Sequence, residues 1–238
     1  MNRRPTVVLI HGLFGFRKLL CFEYFGNIRQ RYEHMGLRVL VPSLPRVSSI
    51  EKCAAALAKQ LQHEQGPLHL VAHSMGGLDA RYWITHLGGG DKVASLTTLA
   101  TPHRGSAAAD FVCSRLSPFR LLTGVQNMTT ENMSKFNART PDLPHICYRS
   151  YSAMRPPGDQ PWIVRRYGRH IQQQEGDNDA QVSVASAKWG KHIATLPCDH
   201  YELILRDFRF NPFSTRIPFD AVPVYREIAT WILSQEGR

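Results

Sequence analysis

"LVAHSMGGLDARY", residues 70–82, places a single serine, Ser74, between an apolar run and a stretch with helical character. The residues before it complete "LHLVA" (68–72), a continuous apolar run that reads as a strand covered on both faces. The residues after it open "GGLDARYWITHLGGG", a helical stretch that stops in three glycines. A strand, a serine and a helix in direct succession force a sharp turn at the serine. Its backbone is strained, and the residues two before and two after must be small so that strand and helix can approach. Ala72 and Gly76 meet that need. Alanine stands where the usual G-x-S-x-G pattern has its first glycine. Such a turn holds the hydroxyl above the carboxyl-terminal edge of the sheet, where ligands bind in open α/β folds, with a helix N-terminus behind it that favours negative charge.

The rest of the chain supplies the sheet this turn needs. "TVVLI" (6–10), "RVLV" (38–41) and "SLTTLA" (95–100) repeat the strand pattern. "CFEYFGNIRQRYEHMG" is predicted as a helix stopping at Gly36, and "SSIEKCAAALAKQLQHEQG" as one capped by Ser48 or Ser49 and stopping at Gly66. Alternation of this kind predicts an α/β class protein: a mostly parallel central sheet with helices on both faces. No repeat or low-complexity linker divides the 238 residues, so one domain over 1–238 is expected. Residues 106–145 break the rhythm. Two short helices, "SAAADFVCSRL" and "TTENMSKFNA", surround "SPFRLLTGVQN", with Thr129 or Thr130 as a cap for the second. The segment is rich in apolar residues, among them Leu116, Phe119, Leu121 and Leu122, and carries Arg115, Arg120 and Arg139. It is either an ordinary packed connection or a short helical cap over a pocket.

Hydrophobic content of 43% and charged content of 20% are ordinary for a globular protein and argue against disorder. No stretch approaches the ~20 apolar residues of a membrane-spanning helix. The N-terminal apolar run ends in His11-Gly12 and reads as a first strand, not a signal peptide. Five scattered cysteines with no C-x-x-C pair argue against a disulfide framework or structural zinc and suggest a cytoplasmic setting. The net charge of +10 is mostly arginine, densest at Arg165, Arg166 and Arg169. No aromatic residues interleave as in a nucleic-acid platform, so no nucleic-acid partner is expected, whereas attraction to anionic lipid needs no sequence code.

A serine hydroxyl is a poor nucleophile without a base. In strand–serine–helix sites the chain order is serine, acid, histidine. His200, on a loop after the apolar "IATL", is the natural base. His73 adjoins the serine and points elsewhere, His103 comes too early, and His192 is read as preceding the strand. The acid should hold the imidazole tautomer and stabilise the imidazolium. Asp177 and Asp179, both in "EGDNDAQV", fit that place, and spacing does not separate them.

"VVLIHGLFGF", "HLVAHSMGGLDARY", "TPHRGS", "TTENMSKFNA" and "DNDAQVSVASAKWG…DHYEL" together resemble the α/β-hydrolase fold, and more narrowly the bacterial true lipases of the Pseudomonas and Burkholderia type. The matched blocks keep the family's order over about residues 6–205. The resemblance implies that the aspartate of an N-D-G turn is the acid. Asn178-Asp179-Ala180 matches that turn, with alanine for glycine, and so favours Asp179. It implies a backbone N–H from the H-G-x motif, here Leu13, as one oxyanion-hole donor, and Met75, the residue after the nucleophile, as the other. Two departures stand out. The family's disulfide near the acid is not expected, since Ala185 follows Asp179 by six residues. Many members hold a structural calcium through two aspartates. Here only Glu202 and Asp159 lie in the matching neighbourhoods, so no metal site is expected.

The expected activity is carboxylic ester hydrolysis, of lipase or esterase type, through a Ser74–His200–Asp179 triad and an acyl-enzyme, with no cofactor. An acyltransferase or thioesterase would use the same triad, and a non-catalytic lipid-binding module on this scaffold is a third reading. The expected partners are an ester or lipid substrate and transient contact with a membrane or lipid-droplet surface. Oligomeric state, acyl chain length and interfacial activation are not legible.

Overall fold

The order in which strands leave the centre of the sheet decides where a site can form. A computed structural model describes residues 4–13, 18–19, 22–114, 121–206 and 217–235. Six strands form the main sheet: β1 (Thr6–Ile10), β4 (Arg38–Leu40), β5 (Leu68–His73), β6 (Val93–Leu99), β7 (Cys147–Ala153) and β8 (Lys191–Leu196). Their spatial order is β4-β1-β5-β6-β7-β8, and every adjacent pair is parallel. β2 (Lys18–Leu19) and β3 (Phe22–Glu23) pair antiparallel in a separate hairpin. From β1 the chain moves outward to β4, then returns to the other side of β1 as β5. Direction reverses between β1 and β5, and crevices of open α/β sheets form at such switch points. The loops leaving β1 and β5 carry Gly12-Leu13 and Ser74-Met75, with Ile10 and Ala72 in register.

The sheet is covered on both faces, as its apolar runs require. Val7 and Leu9 of β1 point to one face, where they pack with α1 (Ile28–His34) and α9 (Val222–Gln235). Val8 and Ile10 point to the other, where α2 (Ile50–Gln60), α3 (Gly76–His86) and α6 (Thr130–Arg139) lie. Ser49 caps α2 by accepting from Lys52 N, and Thr129 caps α6 by accepting from Asn132 N. The remaining α-helices among the described residues are α4 (Ala107–Cys113), α5 (Thr123–Asn127), α7 (Arg165–Gln174) and α8 (Val184–Ala187).

Several expectations change. The helix predicted from Cys21 begins only at Ile28. Phe22 and Glu23 pair with the hairpin instead, and Gly26 turns at φ 56°. α2 ends at Gln60, not at Gly66. His192 lies inside β8 rather than before it. β7, which separates β6 from β8, has no continuous apolar signature, because "CYRSYSA" alternates polar and aromatic residues. Among the described residues between 106 and 145 there are three α-helices, not two, because "TGVQN" forms α5. Met133 and Phe136 of α6 enter the core, so that helix is anchored scaffold. Cys21, Arg115, Leu116, Phe119 and Arg120 lie outside the described residues. The four described cysteines, Cys53, Cys113, Cys147 and Cys198, are free thiols. No helix among the described residues is long and apolar enough to cross a membrane.

Candidate active site

Ser74 follows β5 directly and has φ 55°, in the left-handed region where a residue with a Cβ is strained. Its neighbours hold it there. Ser74 N donates to Leu99 O at 2.9 Å, while its own carbonyl accepts from the Thr101 hydroxyl at 2.7 Å. The small residues have the expected cause. A Cβ on Gly76 would come within 2.6 Å of His11 O, so α3 can start against the end of β1 only with glycine there. Gly77 is pressed just as tightly on Thr101. A Cβ on Gly12 would lie 2.7 Å from Ser74 Cβ and 3.2 Å from its Oγ, so the loop after β1 runs directly over the serine. Leu13, next on that loop, and Met75 converge on one point: Gly124 of α5 fits between the Leu13 side chain, Ser48 O and Met75 Sδ.

Asp179 and His200 meet at the far end of the sheet's loops. His200 Nδ1 donates to Asp179 Oδ2 at 2.7 Å, and both side chains are buried. Asp179 Oδ1 accepts from Gln181 N (2.9 Å) and Val182 N (2.7 Å), so three donors satisfy the carboxylate. Because Nδ1 carries the proton toward Asp179, Nε2 is left as the acceptor, the state a general base requires. Asn178 fastens the turn. Its Oδ1 accepts from Ala180 N (2.9 Å) and Gln160 Nε2 (3.0 Å), and its Nδ2 donates to Gly168 O (3.1 Å). Ala180 has φ 84°, which is why a glycine suits this turn better. Asp177 is not at His200; its carbonyl accepts from Val184 N.

A buried relay that the sequence did not reveal joins these parts. His73 Nε2 faces the carbonyl of His200 at 3.1 Å, and a carbonyl only accepts, so Nε2 carries the proton. Nδ1 must then accept from the Tyr24 hydroxyl at 2.8 Å, and that oxygen in turn accepts from Gly12 N at 3.3 Å. Burial first, then the neighbouring His200 imidazole, holds His73 well below its ordinary pKa, so this tautomer is neutral. The rings of His73 and His200 lie 4.5 Å apart. One chain of hydrogen bonds thus connects the loop over the serine, the residue before it and the His200 loop. Tyr24→Phe removes the link and leaves Gly12 N–H and His73 Nδ1 unmatched in the interior. We expect a loss of about 1–3 kcal/mol in urea unfolding, with a fall in turnover larger than the unfolded fraction accounts for.

The His200 loop has a second fastening. The buried Glu202 carboxylate accepts from Arg155 Nε and Nη2 (both 3.2 Å to Oε2), from Asp199 N (2.9 Å) and from Phe219 N (3.0 Å). Arg155 N itself donates to Asn178 O at 2.9 Å, so this ion pair ties the Asp179 turn to the His200 loop. The residues do not fit the family's calcium: a guanidinium already faces Glu202, and no group of three metal-ligating side chains occurs among the described residues. Glu202→Gln should cost about 3 kcal/mol in chemical denaturation, because it removes the buried carboxylate that balances the half-buried Arg155 guanidinium. EDTA should leave activity and melting temperature of the unaltered protein unchanged. Loss of either on chelation would contradict this fastening.

Comparison with known proteins agrees with the fold. A sequence profile described as the alpha/beta hydrolase family matches residues 7–233. Triacylglycerol lipase 2 of Saccharomyces cerevisiae is 34% identical over 209 residues, covering 79% of this chain and 64% of that protein. A triacylglycerol lipase of Pseudomonas fragi is 33% identical over 141 residues, covering 57% of this chain and 47% of that one. The chain therefore spans between about half and two thirds of these relatives' length. Among solved structures, the mature Bacillus licheniformis lipase BlEst2 superposes with a TM-score of 0.75 at 22% identity, covering 95% of this chain and 92% of that one. The Staphylococcus hyicus lipase gives 0.74 at 17% identity, covering 99% and 98%; at these identities the likeness is one of fold. With a profile match over nearly its whole length, the chain belongs to the alpha/beta hydrolase family.

Proposed function

We propose that the protein hydrolyses carboxylic esters with apolar acyl chains, as a lipase or esterase, with Ser74 as nucleophile, His200 as base and Asp179 as the acid that orients it. The observation that carries this reading is the Asp179–His200 pair packed, through His73, on the strained turn that presents Ser74. The names of the yeast and Pseudomonas relatives support the same substrate class. In this reading Ser74 Oγ attacks the ester carbonyl and His200 Nε2 takes its proton. The N–H groups of Leu13 and Met75 hold the oxyanion, an arrangement worth a few kcal/mol of barrier. Collapse expels the alcohol with the proton held by His200. Water, deprotonated by the same imidazole, then attacks the acyl-enzyme and releases the acid.

We also read residues 106–145 as a small cap within a single domain, with α6 anchoring it to the core. Gly124 of α5 lies against both Leu13 and Met75, and Leu121 just before it is 72% exposed. An acyl chain leaving Ser74 would meet this segment. Rates on p-nitrophenyl esters from acetate to palmitate test both ideas. Hydrolysis is expected across the short chains, and its absence from every chain length would defeat the esterase reading. Leu121→Ser with Leu122→Ser should cut long-chain rates at least tenfold more than acetate rates, since each lost apolar contact is worth about 1–3 kcal/mol. Equal effects on both would make the segment plain scaffold. An added alcohol acceptor in the same assay separates hydrolysis from acyl transfer.

A further inference from the structure

We propose that the Trp162–Val164 turn and the outer face of α7 dock on an anionic phospholipid bilayer, an inference that rests on the ester-hydrolase reading for its purpose but not for its test. The turn runs straight into the helix: Val164 N and Arg165 N both donate to Pro161 O at 3.0 Å. Helical spacing therefore sorts the side chains across turn and helix together. Val164, Gly168 and Ile171 are buried. Trp162, Arg166, Arg169 and Gln173 follow one another by four, three and four residues and are all exposed on the opposite side.

Two features of that face match a membrane surface. Trp162 is 64% and Ile163 57% exposed, and they are the only sequence neighbours among the exposed large apolar residues described. An indole with a free apolar body suits the boundary between headgroups and acyl chains. Behind this tip lie the exposed guanidinium groups of Arg166 and Arg169, with no acidic residue anywhere from 160 to 174. The Arg166 guanidinium rests 5.0 Å over the Phe111 ring, which braces α7 against α4. Arg165 is not part of the face, since its Nη2 turns back to Gln160 O at 3.1 Å. Apolar tip and cationic collar are the two signals that together hold a protein on anionic lipid. The charge of the whole chain has the same sign.

The position of the patch gives it a use. Gln160, two residues before Trp162, hydrogen-bonds Asn178 in the Asp179 turn, and Asn178 bonds Gly168 of α7. The docking element is thus fastened to the turn that holds His200, and docking brings that turn close to the lipid.

Co-sedimentation with sucrose-loaded vesicles tests this, using phosphatidylcholine alone and phosphatidylcholine mixed with anionic phosphatidylglycerol. The intact protein should bind the anionic vesicles at least tenfold more tightly, and less at high salt. Trp162→Ser with Ile163→Ser, and separately Arg166→Glu with Arg169→Glu, should each weaken binding at least tenfold. Both variants should keep the parent's circular dichroism and its rate on soluble p-nitrophenyl butyrate. Equal binding to both vesicle types, or unchanged binding by the variants, would overturn the proposal. So would failure to bind vesicles at all, the result expected if the face serves an acidic protein instead. Vesicle binding without ester hydrolysis would leave this inference standing and remove only the esterase reading.

Discussion

Ser74→Ala will lower ester hydrolysis by roughly 10⁴-fold or more while leaving the protein folded, the scale of loss when a triad nucleophile is deleted. The fold should tolerate the change, because the groups that fix the turn are backbone and glycine contacts. Ser74 N still bonds Leu99 O, Thr101 still bonds the carbonyl at 74, and Gly12 and Gly76 still allow strand and helix to meet. Alanine keeps the Cβ and so keeps the strain at φ 55°. Circular dichroism and melting temperature should match the parent. Turnover near the parent's in well-folded, uncontaminated protein would show that another group attacks the ester.

Asp179→Asn should cost about 10⁴-fold in turnover, the size of loss seen when a triad aspartate becomes an amide. Asp177→Asn should cost little. Gln181 N and Val182 N need an acceptor, so an amide at 179 turns its oxygen to them and its NH2 donor to His200 Nδ1, which forces the proton onto Nε2 and leaves the imidazole unable to take one from Ser74. It also cannot stabilise the imidazolium. The Asp179 side chain accepts from His200 Nδ1 and two backbone N–H groups, whereas Asp177 contributes its carbonyl to Val184 N. Steady-state kinetics of both variants decide the matter, and a crippled Asp177→Asn beside an active Asp179→Asn would reverse the assignment.

The elbow was legible because its requirements are local. Strand, serine, small residues at fixed offsets and helix all lie within thirteen residues, and the need for a small residue two after the serine reappears as the close contact at Gly76. The choice between Asp177 and Asp179 was not local. It depends on Asn178 fixing the turn from Gly168 and Gln160, contacts made across the chain, and only family resemblance pointed to it. The relay through Tyr24 and His73 was hidden for a similar reason. Tyr24 sits in a stretch whose spacing suggested a helix, and a hairpin with a left-handed Gly26 took that stretch instead. β7 escaped notice because Arg149, Ser150 and Ser152 interrupt any apolar run of the kind that marks β1. Tyr151 reaches Glu227 and Ser152 reaches Thr195, so polar groups of this strand are satisfied by partners no local pattern reveals. Arg155 in "MRPP" has no motif at all, and its meaning appears only when Glu202 is beside it.

A Ser74 activated by His200 should react as a nucleophile even without its natural ester. Reaction with a fluorophosphonate ester, followed by mass spectrometry of the peptide that spans residues 70–82, tests it most directly. The reagent's phosphorus bonds to an activated serine oxygen and fluoride leaves, so labelling reports activation without any assumption about the natural ester. One label per chain is expected, on Ser74, abolished in Ser74→Ala and strongly slowed in His200→Ala. An unlabelled Ser74, or a label that forms at the same rate without the imidazole of His200, would contradict it.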